Sequence, residues 1–207
     1  MIKRLLVALL LTTAAEAQQL RVVTLPGEGA LDRAELADVI ARAEAHFWAR
    51  GIAVKAIKVL PLRADPCESQ RERDRFPSQF ACYERMGLDL KRFRYGPTLI
   101  VSAPMRGGGE RWLGGVARRD CGRHISRRIA WAAATGRKVT GEDRKIMAGI
   151  LTAHEVAHTL GAGHYDGRPN IMHSAALQFV GNTPDLGFVV KTVDEVRACS
   201  FTGTFRR

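Results

Sequence analysis

Residues 154 to 164 read HEVAHTLGAGH, and no other stretch limits so strongly what the chain can fold into. They close a segment predicted helical from Thr140 to Leu160. Thr140-Gly-Glu-Asp143 has the form of a helix start, a hydroxyl followed three residues later by an acid. Gly161 can take a positive φ and end the helix. On such a helix His154 and His158 project from one face, one turn apart, so two imidazoles can reach one metal ion. Glu155 is offset around the helix and can face a water on that ion without taking a coordination position, the arrangement of an HExxH motif. The turn at Gly161 brings His164 back as a third ligand. Three protein ligands leave the fourth position of a zinc ion open, which distinguishes catalytic from structural zinc. Neutral imidazoles preserve the Lewis acidity that activates water near neutral pH. The pattern fixes five positions in residues 154–164, far more than a bare HExxH, and it points to one Zn2+.

Around this helix the chain alternates between strand and helix periodicities. Residues 20–25 (LRVVTL) form a candidate first strand, closed by Pro26-Gly27. Leu36, Val39, Ile40, Ala43 and Phe47 recur at helical spacing within 32–50, and 52–60 (IAVKAIKVL) alternates as a strand does. Residues 61–97 are charged and punctuated by four prolines, which reads as an excursion with a short helix near 80–86. Strand character returns in 98–102 (TLIVS), 112–117 (WLGGVA) and 125–134 (ISRRIAWAAA), and a last helix is expected over 193–199. The resulting class is α+β, a mixed sheet backed by helices, without internal repeats.

The first seventeen residues, MIKRLLVALLLTTAAEA, combine Lys3 and Arg4, a short apolar run and an Ala15-Glu16-Ala17 cleavage pattern. This is the pattern of a signal peptide and is too short to span a bilayer. No later segment is apolar enough to cross a membrane, and no cysteine follows the apolar run to take a lipid. The expectation is a secreted or periplasmic protein, with 18–207 as one domain, a monomer, and no room for a substantial propeptide. The net charge of +11 suggests attraction to anionic surfaces or polymers. The basic residues are scattered, in small clusters such as Arg118-Arg119, and lack interleaved aromatics, so a specific nucleic-acid site is not expected. Cys67, Cys82, Cys121 and Cys199 lie behind an export signal, which reads as two disulfides, and the sequence alone allows three connectivities.

HEVAHTLGAGH resembles the metzincin zinc peptidases in every fixed position of HExxHxxGxxH, and Asn170-Ile171-Met172-His173 resembles the methionine turn of that clan. The specific evidence covers 154–172; the order of elements from 20 to 199 is compatible. The eight-residue step from His164 to Met172 resembles the matrix-metalloprotease branch, whereas Tyr165-Asp166 matches neither that branch nor the reprolysins, and His173 stands where that branch has Tyr. The resemblance implies a zincin fold, with Met172 beneath the metal without ligating it. It implies His154, His158 and His164 as zinc ligands, Glu155 as general base and acid, and peptides or proteins as substrates. It implies an edge strand that pairs with extended substrate through backbone groups, here Leu113, Gly114, Gly115 and Val116. It places a specificity wall at 174–179. The reprolysin pattern implies a Cys121–Cys199 bridge, which leaves Cys67 with Cys82; each could contribute about 3–4 kcal/mol on the chain-entropy model. Alternatives on the same residues are a zinc amidase or peptidase acting on cell-wall peptides, an inactive binding module, and a basic surface-binding protein. The intact Glu155 speaks against the second, and zinc content discriminates the third.

Overall fold

The computed structural model describes residues 18–27, 29–67, 81–83, 85, 98–102, 105–106, 112–113, 115–117, 119, 129–133, 141–176 and 186–202. The expected leader, 1–17, lies outside them, as do most of the charged excursion, Thr140, Gly114 and Cys121.

The architecture is α+β, as the alternating periodicities require. Strand β1 (Gln18–Thr24) is followed by helix α1 (Arg33–Trp48) and strand β2 (Val54–Pro61). Next come β3 (Thr98–Ser102), the short β4 (Met105–Arg106) and β5 (Trp112–Leu113), then β6 (Gly115–Ala117) and β7 (Ile129–Ala133). Helices α2 (Gly141–Thr159) and α3 (Val190–Thr202) complete the described elements. Five strands form one sheet in the order β2-β1-β3-β7-β6. The β2–β1, β1–β3 and β3–β7 pairs are parallel, and β6 runs antiparallel to β7 at the edge.

Each element follows from its residues. Asp32 caps α1 through its Oδ1, which accepts from the backbone N–H groups of Ala34 and Glu35, while the Glu35 carboxylate accepts from Asp32 N–H. This reciprocal pair satisfies donors that a helix start leaves orphaned. Leu36, Val39, Ile40, Ala43 and Phe47 then form the buried stripe of α1. Phe47 meets Phe188 with ring centroids 4.8 Å apart. The run TLIVS is buried from Leu99 onward, as a strand flanked by β1 and β7 must be. Gly149 sets the distance between α1 and α2, because a Cβ there would lie 2.8 Å from the Cβ of Arg42.

The single strand expected over 112–117 is divided. Trp112 and Leu113 pair with Arg106 and Met105 in a separate two-stranded sheet, while Gly115, Val116 and Ala117 pair with Ala132, Trp131 and Ala130. Only the second half reaches the edge of the main sheet. The hydrophobic pattern alone does not register to which sheet each half pairs. Cys67 and Cys82 form a disulfide, and residues 81–83 are helical within the expected 80–86. Cys199 is disulfide-bonded too; Cys121, the partner expected for it, lies outside the described residues.

Candidate metal centre

Helix α2 is buried continuously from Ala148 to Thr159, and it carries His154, Glu155 and His158 into the core. Its end is set by Gly161, at φ 95°. Gly161 N–H donates to His158 O at 2.9 Å and Ala162 N–H to Ala157 O at 3.0 Å. This pair of bonds is a Schellman motif, which satisfies carbonyls that the helix end would otherwise strand. The chain reverses there and carries His164 back toward the helix.

The three imidazoles converge. Their Nε2 atoms stand 3.1 Å (His154–His158), 3.2 Å (His158–His164) and 3.2 Å (His154–His164) apart. The other ring nitrogens are committed elsewhere: His154 Nδ1 lies 2.6 Å from Ile171 O and His158 Nδ1 2.8 Å from Ala162 O. A carbonyl only accepts, so each of these Nδ1 atoms carries the ring proton and each facing Nε2 presents a lone pair. Lone pairs so close repel one another unless a cation takes them up. Nitrogens sharing one tetrahedral zinc at about 2.0–2.1 Å stand about 3.3–3.4 Å apart, close to the observed triangle. The residues fit one zinc ion, with the carbonyls of Ile171 and Ala162 fixing the tautomers.

Burial holds two of the ligands neutral. It pushes His154 down from 6.5 to about 4, helped by the neighbouring His158, and it lowers His158 too. His164 is exposed. Glu155 is 4 % exposed, and among the described residues its Oε2 has no hydrogen-bond partner. Burial therefore raises its carboxyl well above the usual range. A carboxylate at such a position needs a cation or a proton to compensate it.

The turn expected at Asn170–His173 follows these histidines in the chain. Met172 is fully buried, next to the Ile171 carbonyl that orients His154. Asn170 shapes the turn: its Nδ2 donates to Tyr165 O and Arg168 O, and its Oδ1 accepts from Met172 N–H. Tyr165 N–H donates to Met172 O at 2.9 Å, tying the residue after His164 to the turn. His173 faces Asp166, with Nδ1 3.4 Å from Oδ1.

Of the backbone segment expected to bind substrate, Gly115 and Val116 lie on the edge strand β6, Leu113 lies in β5, and Gly114 is outside the described residues. Of the specificity wall, 174–176 are described and 177–179 are not. Sequence reasoning missed two residues that touch the ligand loop. Arg119 Nε donates to Gly161 O at 2.7 Å, and Glu195 Oε2 accepts from Gly163 N–H at 2.9 Å. Both read as ordinary surface charges in the sequence, and neither carries a local motif.

No protein-family profile and no curated protein matches the sequence significantly. Solved structures do resemble the fold. An archaemetzincin from Methanopyrus kandleri matches over 92 % of this chain and 98 % of its own, at 19 % identity and TM-score 0.62. Metalloproteinase-II from Bacteroides fragilis matches over 90 % of this chain and 54 % of its own, at 14 % identity and TM-score 0.54. A zinc-dependent peptidase from Methanocorpusculum labreanum matches over 86 % and 99 %, at 14 % identity and TM-score 0.51. At these identities the likeness is one of fold.

Proposed function

We propose that the chain is a zinc-dependent endopeptidase of the metzincin type, exported from the cell, with Glu155 as its general base and acid. The observation that carries this reading is the convergence of three imidazole Nε2 atoms within 3.2 Å, on a helix that also carries the buried Glu155, whose Oε2 has no hydrogen-bond partner among the described residues. The peptidases among the structural neighbours support the same chemistry.

His154, His158 and His164 would hold the ion. When bound, zinc supplies Lewis acidity toward a carbonyl oxygen and toward water. The chain's own residues do the rest. Glu155 takes a proton from the attacking water at its carboxylate and delivers it to the nitrogen of the leaving amine. Its burial raises the carboxyl above the usual carboxylate range, which makes it a stronger base toward the proton of the water. The backbone of β6, at the sheet edge, offers N–H and C=O groups to an extended peptide whatever its side chains. The reading of 1–17 as a leader, with 18–207 as the catalytic domain, is supported by the Cys67–Cys82 disulfide, which suits an oxidising compartment.

Glu155→Ala tests the assignment. The variant should keep stoichiometric zinc, since Glu155 is outside the ligand set, and lose peptide hydrolysis by about 10²–10⁴-fold, at the upper end because one residue fills two roles. Hydrolysis within about tenfold of the wild type, below that acid–base range, would remove Glu155 from the mechanism.

A further inference from the structure

His154 and His158 are placed by a buried helix and by hydrogen bonds that their Nδ1 atoms donate to the carbonyls of Ile171 and Ala162. His164, by contrast, follows the helix end and is exposed. Its position depends on the backbone around it. On the C-terminal side that backbone is tied by Tyr165 N–H to Met172 O. On the N-terminal side it meets two side chains from elements distant in sequence. Arg119, two residues beyond β6, donates from Nε to Gly161 O, and Glu195 of α3 accepts from Gly163 N–H. The two arms join in an ion pair, Arg119 Nη2 to Glu195 Oε1 at 3.1 Å. The guanidinium also lies flat enough on the loop that a Cβ at Gly163 would come within 3.1 Å of Nη1 and 3.3 Å of Cζ. A side chain at 163 would make it shift by a few tenths of an ångström.

We propose that Arg119 and Glu195 are positioning residues for the third metal ligand, a clamp that holds the 161–163 backbone so that His164 Nε2 meets the other two. The inference rests on the three-histidine site binding zinc. The Arg119 side chain is 60 % exposed, and an ion pair so wet contributes little to global stability. Each arm, however, also makes a charge-assisted hydrogen bond to backbone of the ligand loop, which fixes direction as well as distance. The clamp therefore acts mainly on the metal site, and its loss should show in zinc affinity before it shows in folding.

The test is the zinc dissociation constant of the full chain, measured by competition with a chelator and without substrate. Arg119→Ala and Glu195→Ala should each weaken zinc binding by about 10–100-fold, the range for groups that orient metal ligands. Glu195→Gln keeps an acceptor for Gly163 N–H and should lose less than Glu195→Ala. In a His164→Ala background, Glu195→Ala should cost no more than about twofold further, because a residue acting through His164 has nothing left to position. A merely structural role would weaken binding equally in both backgrounds and would overturn the proposal. So would wild-type affinity in Glu195→Ala. If that variant does not fold, Arg119→Ala at its exposed position decides by the same criteria. A wild type that binds zinc, and binds it much more weakly in His158→Ala, yet is indifferent to Arg119 and Glu195, overturns the clamp alone. A wild type that binds no zinc overturns the metal centre and the clamp together.

Discussion

His154 is 7 % exposed, with Nδ1 committed to Ile171 O and Nε2 turned toward two other imidazoles. Burial brings its pKa from 6.5 to about 4, and His158 moves in the same direction. For the zinc-free protein this has a definite sign. Above pH 6.5 the folded and unfolded forms are both neutral at His154, and nothing is lost. As pH falls from 6.5 toward 4, the unfolded chain binds a proton that the folded chain refuses, so stability declines. A shift of this size corresponds to about 3 kcal/mol for His154 alone. The carboxylates with lowered pKa, Asp38, Glu142 and Asp166, have ordinary values of 3.8 to 4.5 and act only at the acid end of that window. Glu155 acts in the opposite sense, because burial raises its carboxyl and the folded form takes up a proton before the unfolded chain does. With that group removed by Glu155→Gln, denaturant midpoints of chelator-stripped protein should fall between pH 6.5 and 4.5, and adding His154→Gln should flatten the decline. A flat profile for Glu155→Gln across that range would mean that His154 is not buried neutral.

Helix α2 carries the chemistry, so whatever fixes α2 fixes the site. It packs against α1 at Gly149, one and a half turns before His154, where the Arg42 Cβ leaves no room for a side chain. Arg42 itself bonds Asp38 and Glu142, and Lys145 bridges the same two acids, lacing α1 to α2 at their solvent side. On an exposed helix, glycine to alanine would stabilise by about 1 kcal/mol. Here Gly149→Ala should instead destabilise by about 1–3 kcal/mol, the usual cost of overpacking, as read from the denaturant midpoint. Stabilisation would show that the two helices separate more easily than their contact suggests. Both helices were legible in the sequence, because buried positions at 3.6-residue spacing and a stop glycine are local signals. The start of α1 was legible only in outline: Asp32 and Glu35 are three apart, yet their reciprocal bonds emerge only once the backbone turns.

Across the whole molecule, legibility followed the range over which residues interact. The metal ligands, the glycine turn and Met172 lie within 154–172, and the structure brings the three imidazoles together as their spacing implies. Trp112 to Ala117 looked like one strand because all six residues are small or apolar, and periodicity does not show to which sheet each half pairs. Arg119 and Glu195 are 76 residues apart and meet each other and the ligand loop only in the folded chain. No local pattern could have singled them out from the other charges of a strongly basic chain. The parallel order β2-β1-β3-β7, closed by antiparallel β6, likewise depends on which elements cover the sheet. This fold places an edge strand, a buried acid and three converging imidazoles within one unit, and the proposed function is that together they hydrolyse peptides with zinc. The most direct measurement is digestion of a defined peptide mixture by the zinc-loaded protein, repeated after chelation and after zinc is restored. Cleavage should appear with zinc, vanish with the chelator and return on adding zinc. Cleavage undiminished by chelation, or none by protein with stoichiometric zinc, would contradict it.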